Sequence, residues 1–241
     1  MRHDIDALYH DGIRQEAERR FRFDRNRTKT LHGFESYVYD CQRVKQSFIM
    51  KITHTLRRSF DQIMGELEFV NYLADGGIPV PRAIQSVGGH LVERISADHG
   101  HFLAFATIKS SGHHIGKREL TPDVIRRWGA LTGRMHALAK DFEPTSASYR
   151  RRHWHEDDYA QFERYIPSGE TRVLQQAHQL YYRLHALPKD RDTYGLIHKA
   201  RQHILYVSGH LSRLGFLAKI TSWKSSFFDL SYCDLLHDVI V

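Results

Sequence analysis

Gly65-Glu66-Leu67-Glu68-Phe69-Val70-Asn71-Tyr72-Leu73, followed by Gly77-Ile78-Pro79-Val80-Pro81-Arg82, is the stretch that decides how this chain folds. Ile63, Leu67, Val70 and Leu73 recur at three- and four-residue steps, which predicts a helix with one apolar stripe. Ser59 stands where a cap is needed, and Asp75-Gly76-Gly77 can end the helix. Ile78-Pro79-Val80-Pro81 must then run extended, because proline biases the residue before it away from helix. Upstream the period changes. β-branched and aromatic residues alternate in Thr28-Lys29-Thr30-Leu31, Tyr37-Val38-Tyr39 and Ser47-Phe48-Ile49-Met50-Lys51-Ile52, which predicts three antiparallel strands joined by turns at 32–36 and 42–45. Downstream, Ala83–Val87 and His90–Glu93 predict a further strand pair with Gly88-Gly89 as its turn.

Outside that block the pattern is helical. Ile5, Leu8, Tyr9, Ile13 and Ala17 predict one amphipathic helix over 4–21. Phe102–Ile108 is an apolar run suited to a last strand and a hinge. Val124, Trp128, Leu131, Met135 and Leu138 predict a helix over 123–139, with Thr121 as cap and Pro122 in its first turn. A further helix is expected from about Arg172 to Leu187, stopped by Pro188.

The 241 residues are 41% hydrophobic, enough for one large or two small cores, and no segment has a disordered composition. There is no apolar run of membrane-spanning length, and the start is too polar for a secretory signal, so the cytoplasm is the expected location. Cys41 and Cys233 lie far apart and form neither a metal pattern nor a disulfide framework. The formal charge of +7 suits an anionic partner such as nucleotide phosphates, nucleic acid or an acidic lipid surface. The basic clusters Arg57-Arg58, Arg126-Arg127 and Arg150-Arg151-Arg152 carry no RNA-binding aromatic signature and no zinc-finger spacing, which disfavours nucleic acid. Likewise His113-His114 and His153-Trp154-His155 lack zinc-site spacing.

The order of three strands, helix and two strands is that of a kinase-like small lobe, and the chain resembles the aminoglycoside phosphotransferase and choline kinase family. The resemblance rests on Gly33–Tyr39, Phe48–Ile52, Gly65–Leu73 running into Gly77–Arg82, Gly133-Arg134-Met135-His136, and Gly195-Leu196-Ile197-His198. It implies an α+β, two-lobed protein-kinase-like fold: a small antiparallel-sheet lobe over 1–107 and a mostly helical large lobe over 108–241 that lacks the family's last helices. It implies ATP and Mg as cofactors, ATP-dependent phosphorylation of a small-molecule hydroxyl as the ancestral activity, and a nucleotide and a small molecule as partners. Lys51 would neutralise nucleotide phosphates, and Glu66 would orient Lys51, with Glu68 on another helical face. Gly33 in the 33–36 loop would help to nest the phosphates, and Phe105 and Thr107 would present hinge backbone to adenine.

The same resemblance exposes departures. The loop should read H-x-D-x-x-x-x-N, with Asp taking the substrate proton and Asn holding the metal. Counted from His198, those positions are Ala200 and Leu205, so His198 marks the loop without a catalytic residue in it. Five residues separate His198 from Ile204 where the family has seven, and Asp229 is the fair candidate for the metal-binding Asp, ahead of Asp234 and Asp238. A frameshift over about 199–226 and natural divergence both fit. The alternative function is therefore a nucleotide-binding pseudokinase or interaction module. Trp154–Asp158 could offer carboxylates to a cationic substrate or be an exposed acidic helix start.

Overall fold

The computed structural model describes residues 3–31, 33, 36–111, 121–156 and 161–196. The small lobe is built on six antiparallel strands: β1 (Lys29–Leu31), β2 (Tyr37–Arg43), β3 (Gln46–His54), β4 (Ala83–Ile84), β5 (Val92–Ser96) and β6 (His101–Ile108). Their order is β1-β2-β3-β6, with β4 and β5 both beyond β6. β4 pairs with Thr107 and Ala106, and β5 pairs with Phe105 through His101. The expected β4–β5 hairpin is thus corrected. The Gly88-Gly89 turn is present, with Gly89 at φ 79°, but β6 is apolar along its length and takes both strands as neighbours.

Strand pleating sends alternate side chains to opposite faces, and the two faces have different covers. Phe48, Met50 and Ile52, with Phe102, Ala104 and Ala106, pack against Ile5, Ile13, Ala17 and Phe21 of the N-terminal helices. Those helices are two, α1 (His3–Asp6) and α2 (Asp11–Phe21), where one was expected. His10 makes the break, because its Nδ1 accepts the Gly12 N–H and caps α2.

On the other face lies α3 (Phe60–Asp75), whose Ile63 and Leu67 meet Ala83, Val92, Leu103 and Phe105. Its start is a full capping box: the Ser59 hydroxyl accepts the Gln62 N–H at 3.1 Å, and the Gln62 side chain accepts the Ser59 N–H at 3.0 Å. The Asn71 amide ties α3 to β4 through the N–H and carbonyl of Ala83. Leu73 and Ile78 continue the core into the large lobe by packing on Met135.

The large lobe contributes α4 (Pro122–Ala139), capped by Thr121 as expected, and α5 (Thr171–His185). Between them run 3-10 turns at Ala147–Tyr149, Trp154–Glu156 and Phe162–Arg164. The first of these lies against α3 and joins the two lobes. No helix among the described residues is long and apolar enough to cross a membrane.

Candidate functional site

Lys51 sits in the middle of the sheet, opposite Val38 of β2 on one side and Phe105 of β6 on the other. Residues directly opposite in an antiparallel pair share a face, and Phe105 packs on α3. The Lys51 side chain therefore enters the layer between β3 and α3, where it is 5% exposed. From the other side of that layer comes Glu66, three residues along the buried stripe from Ile63 and 7% exposed. The sequence pattern and the structure agree on this convergence of strand and helix.

Among the described residues, the partner of Glu66 is Arg58, whose Nη2 donates to Oε2 at 2.5 Å. Glu66 Oε1 is buried with no hydrogen-bond partner among the described residues. Arg58 reaches this place because the chain turns sharply after β3: the N–H groups of Arg57 and Arg58 both donate to the His54 carbonyl. That turn leaves Arg58 just ahead of the Ser59 cap, with its planar fork lying along the first turns of α3. Glu66 is thus paired with Arg58 through Oε2, and its Oε1 lies in the layer that Lys51 enters. Glu68 points elsewhere, as its spacing required, and accepts the N–H and hydroxyl of Thr145.

Gly33 lies between β1 and β2. A Cβ there would lie 2.2 Å from the Ser36 carbonyl and 2.7 Å from Cγ2 of Val38, the residue opposite Lys51. Only glycine allows this approach. Phe105 and Thr107, expected at a hinge, are strand residues in this structure. Both lie inside β6, with β3 on one side and β5 or β4 on the other. The Ile108 and Lys109 N–H groups are taken by the carbonyls of Arg82 and Ser47. His198, Ala200, Leu205 and Asp229 lie outside the described residues. Among those described, no group of three or more His, Cys, Asp or Glu could hold a metal.

Three features behind the site were not read from the sequence. Gly65, beside Glu66, accommodates the carbonyl of Tyr149, which an added Cβ would meet at 2.0 Å. The Arg151 guanidinium donates to the Gln62 carbonyl at 3.4 Å, and the Phe142 ring packs on Phe69 and Tyr72. Residues 142–151 thus form a strap across the outer side of α3. A glycine inside an otherwise regular helix was the available signal, since such a glycine usually has a packing reason. Glu156, a candidate for a cationic substrate, is engaged within its own turn. The His153 backbone N–H, with Arg150, holds its carboxyl below the ordinary range. Asp157 and Asp158 lie outside the described residues.

A six-stranded antiparallel sheet with a buried lysine on its central strand and a buried glutamate on the helix behind it is the arrangement of a kinase-like small lobe. Residues 28–199 match the model of the phosphotransferase enzyme family. The chain is 32% identical over 240 residues to amicoumacin kinase of Bacillus subtilis (strain 168), covering 99% of this chain and 69% of that protein. Among solved structures it is similar to an amicoumacin kinase in complex with AMP-PNP, Ca2+ and Ami, with a TM-score of 0.78 and 33% identity over 84% of this chain and 62% of that one. A microcompartment-associated aminopropanol kinase, at TM-score 0.61 and 20% identity over 78% of this chain and 62% of that one, shares the fold. The chain belongs to the phosphotransferase enzyme family, and it spans about three fifths of the length of the solved kinases it resembles.

Proposed function

We propose that this chain binds ATP with a divalent cation beneath the β1–β2 turn, and that its fold serves transfer of the γ-phosphoryl group to a hydroxyl of a small molecule. The observation that carries the reading is Lys51, held on the central strand in a layer shared with the α3 glutamate. A lysine fixed at this place on the central strand is positioned to hold nucleotide phosphates. The glycine at position 33 fits the same purpose, because a backbone without a Cβ lets N–H groups approach phosphate oxygens.

Bound ATP with its metal supplies the transferable group and offsets the developing charge. Magnesium is the expected metal; the similar solved kinase holds Ca2+ with AMP-PNP. Lys51 holds phosphate oxygens, Glu66 keeps its layer anionic, and Gly33 brings the turn down over them. Asp229 is retained as the proposed metal ligand and His198 as the marker of the loop. With Ala200 and Leu205 in place of proton acceptor and metal ligand, turnover is expected to be depressed by on the order of 10²–10⁴. Those two residues favour the second reading, a nucleotide-binding protein without turnover. A cytoplasmic location, where ATP is available, goes with either.

Amicoumacin is the first acceptor to test, because two similar kinases act on it by name. Incubation with γ-labelled ATP and amicoumacin should give a slowly formed labelled product. ATP binding without product would favour the second reading. Neither binding nor product would sink both.

A further inference from the structure

Glu66 presents one satisfied and one unsatisfied oxygen in the same buried layer as Lys51. Oε2 is held by Arg58 at 2.5 Å, while Oε1 has no hydrogen-bond partner among the described residues. A buried carboxylate oxygen without a donor is unfavourable and persists only where the surroundings hold it in place. Arg58 is what holds it. The guanidinium is itself buried, and its backbone is fixed by the tight turn onto the His54 carbonyl. A charge-assisted bond from a planar donor restricts both the position and the tilt of the carboxylate.

We infer that Arg58 is a positioning residue for the nucleotide site: it fixes Glu66 through Oε2 so that Oε1 stays available to the Lys51 ammonium when that lysine engages phosphate. The inference rests on the proposed nucleotide-binding reading and deepens it. It divides the duty usual for one strand–helix ion pair between a fixed arginine and a movable lysine. Without Arg58, the glutamate is free to turn away, and Lys51 loses its guide. In this inference Arg58 acts through Glu66 and not on the nucleotide itself.

That requirement gives the test. AMP-PNP affinity in the presence of Mg is measured by calorimetry for the wild type, Arg58→Gln, Glu66→Gln and the double variant, with melting temperatures alongside. Arg58→Gln should weaken binding about tenfold in the wild-type background and less than about twofold when Glu66 is already Gln, because the pair acts as a unit. Arg58→Lys, which keeps a cation beside Glu66, should recover most of the loss. If Arg58→Gln does not fold, Arg58→Lys with and without Glu66→Gln reads the same coupling. Additive losses, or unchanged or tighter binding in Arg58→Gln, overturn the inference while leaving nucleotide binding intact. A wild type that binds no AMP-PNP overturns the functional reading itself, and this inference with it.

Discussion

Gly65→Ala should destabilise the protein even though alanine is the better helix former. In an unobstructed helix the exchange stabilises by about 1 kcal/mol. At Gly65 the new methyl would stand 2.0 Å from the Tyr149 carbonyl oxygen, against an optimum near 3.5 Å for non-bonded atoms. The obstacle is backbone, so no rotamer change relieves it, and about 1.5 Å must be made up by moving α3 or the 142–151 strap. Overpacking of this kind costs about 1–3 kcal/mol, and a lifted strap also strains the Thr145–Glu68 bonds and the Phe142 packing. The net expectation is a loss of about 1–2 kcal/mol, or a fall in Tm of about 2–4 °C for each kcal/mol in a chain of this size. Gly129→Ala and Gly133→Ala are the internal controls. Both lie in α4 with nothing within 4 Å of an added Cβ, and both should hold or raise Tm. Thermal unfolding followed by circular dichroism reads all three. A Gly65→Ala protein as stable as the Gly129→Ala control would refute the strap.

Other consequences concern charge and exposure. Burial raises the Glu93 carboxyl, but the Ser86 hydroxyl, Arg20 and His90 outweigh it and hold Glu93 below its ordinary value; Arg19 and Arg20 lower Glu16 to about 2. Groups whose folded pKa is depressed add stability above their unfolded pKa and lose it as pH falls, so the urea midpoint should drop between about pH 4.5 and 2. Arg20→Gln, which removes a partner common to both, should lower the midpoint at pH 7 and flatten the acid limb; an unchanged limb would contradict the assignment. Burial pushes the Cys41 thiol up to about 12. In a Cys233→Ser background it should therefore resist iodoacetamide at pH 8 until denaturant is added, and rapid labelling of the folded protein would show the thiol to be accessible.

The small lobe was legible because its signals are local. The Ser59 cap, the Ile63–Leu73 stripe and the prolines after Gly77 act within a few residues of one another, and they stand in the structure as read. Lys51 was legible because strand alternation gives its face once its neighbours are known to be core. Arg58 was not, because a guanidinium eight residues from its partner finds it only through the turn after β3, and Arg57-Arg58 looks like any surface pair. The run Phe102–Ile108 suits a strand and a hinge equally by composition, and sheet pairing on both sides decided for the strand. The β4–β5 hairpin failed for a related reason: a glycine turn says where a chain reverses, not which third strand collects the two arms. The strap over Gly65 depends on contacts some eighty residues apart, and no local pattern carries that.

The central claim is that Lys51 anchors a nucleotide site. Its most direct test is calorimetric titration of AMP-PNP with Mg into the wild type and into Lys51→Met, which keeps the length of the side chain and removes the charge. The account predicts saturable binding to the wild type and at least a tenfold loss in Lys51→Met, with circular dichroism confirming that the variant is folded. Equal affinity in the two proteins, or no binding to the wild type at millimolar nucleotide, would contradict it.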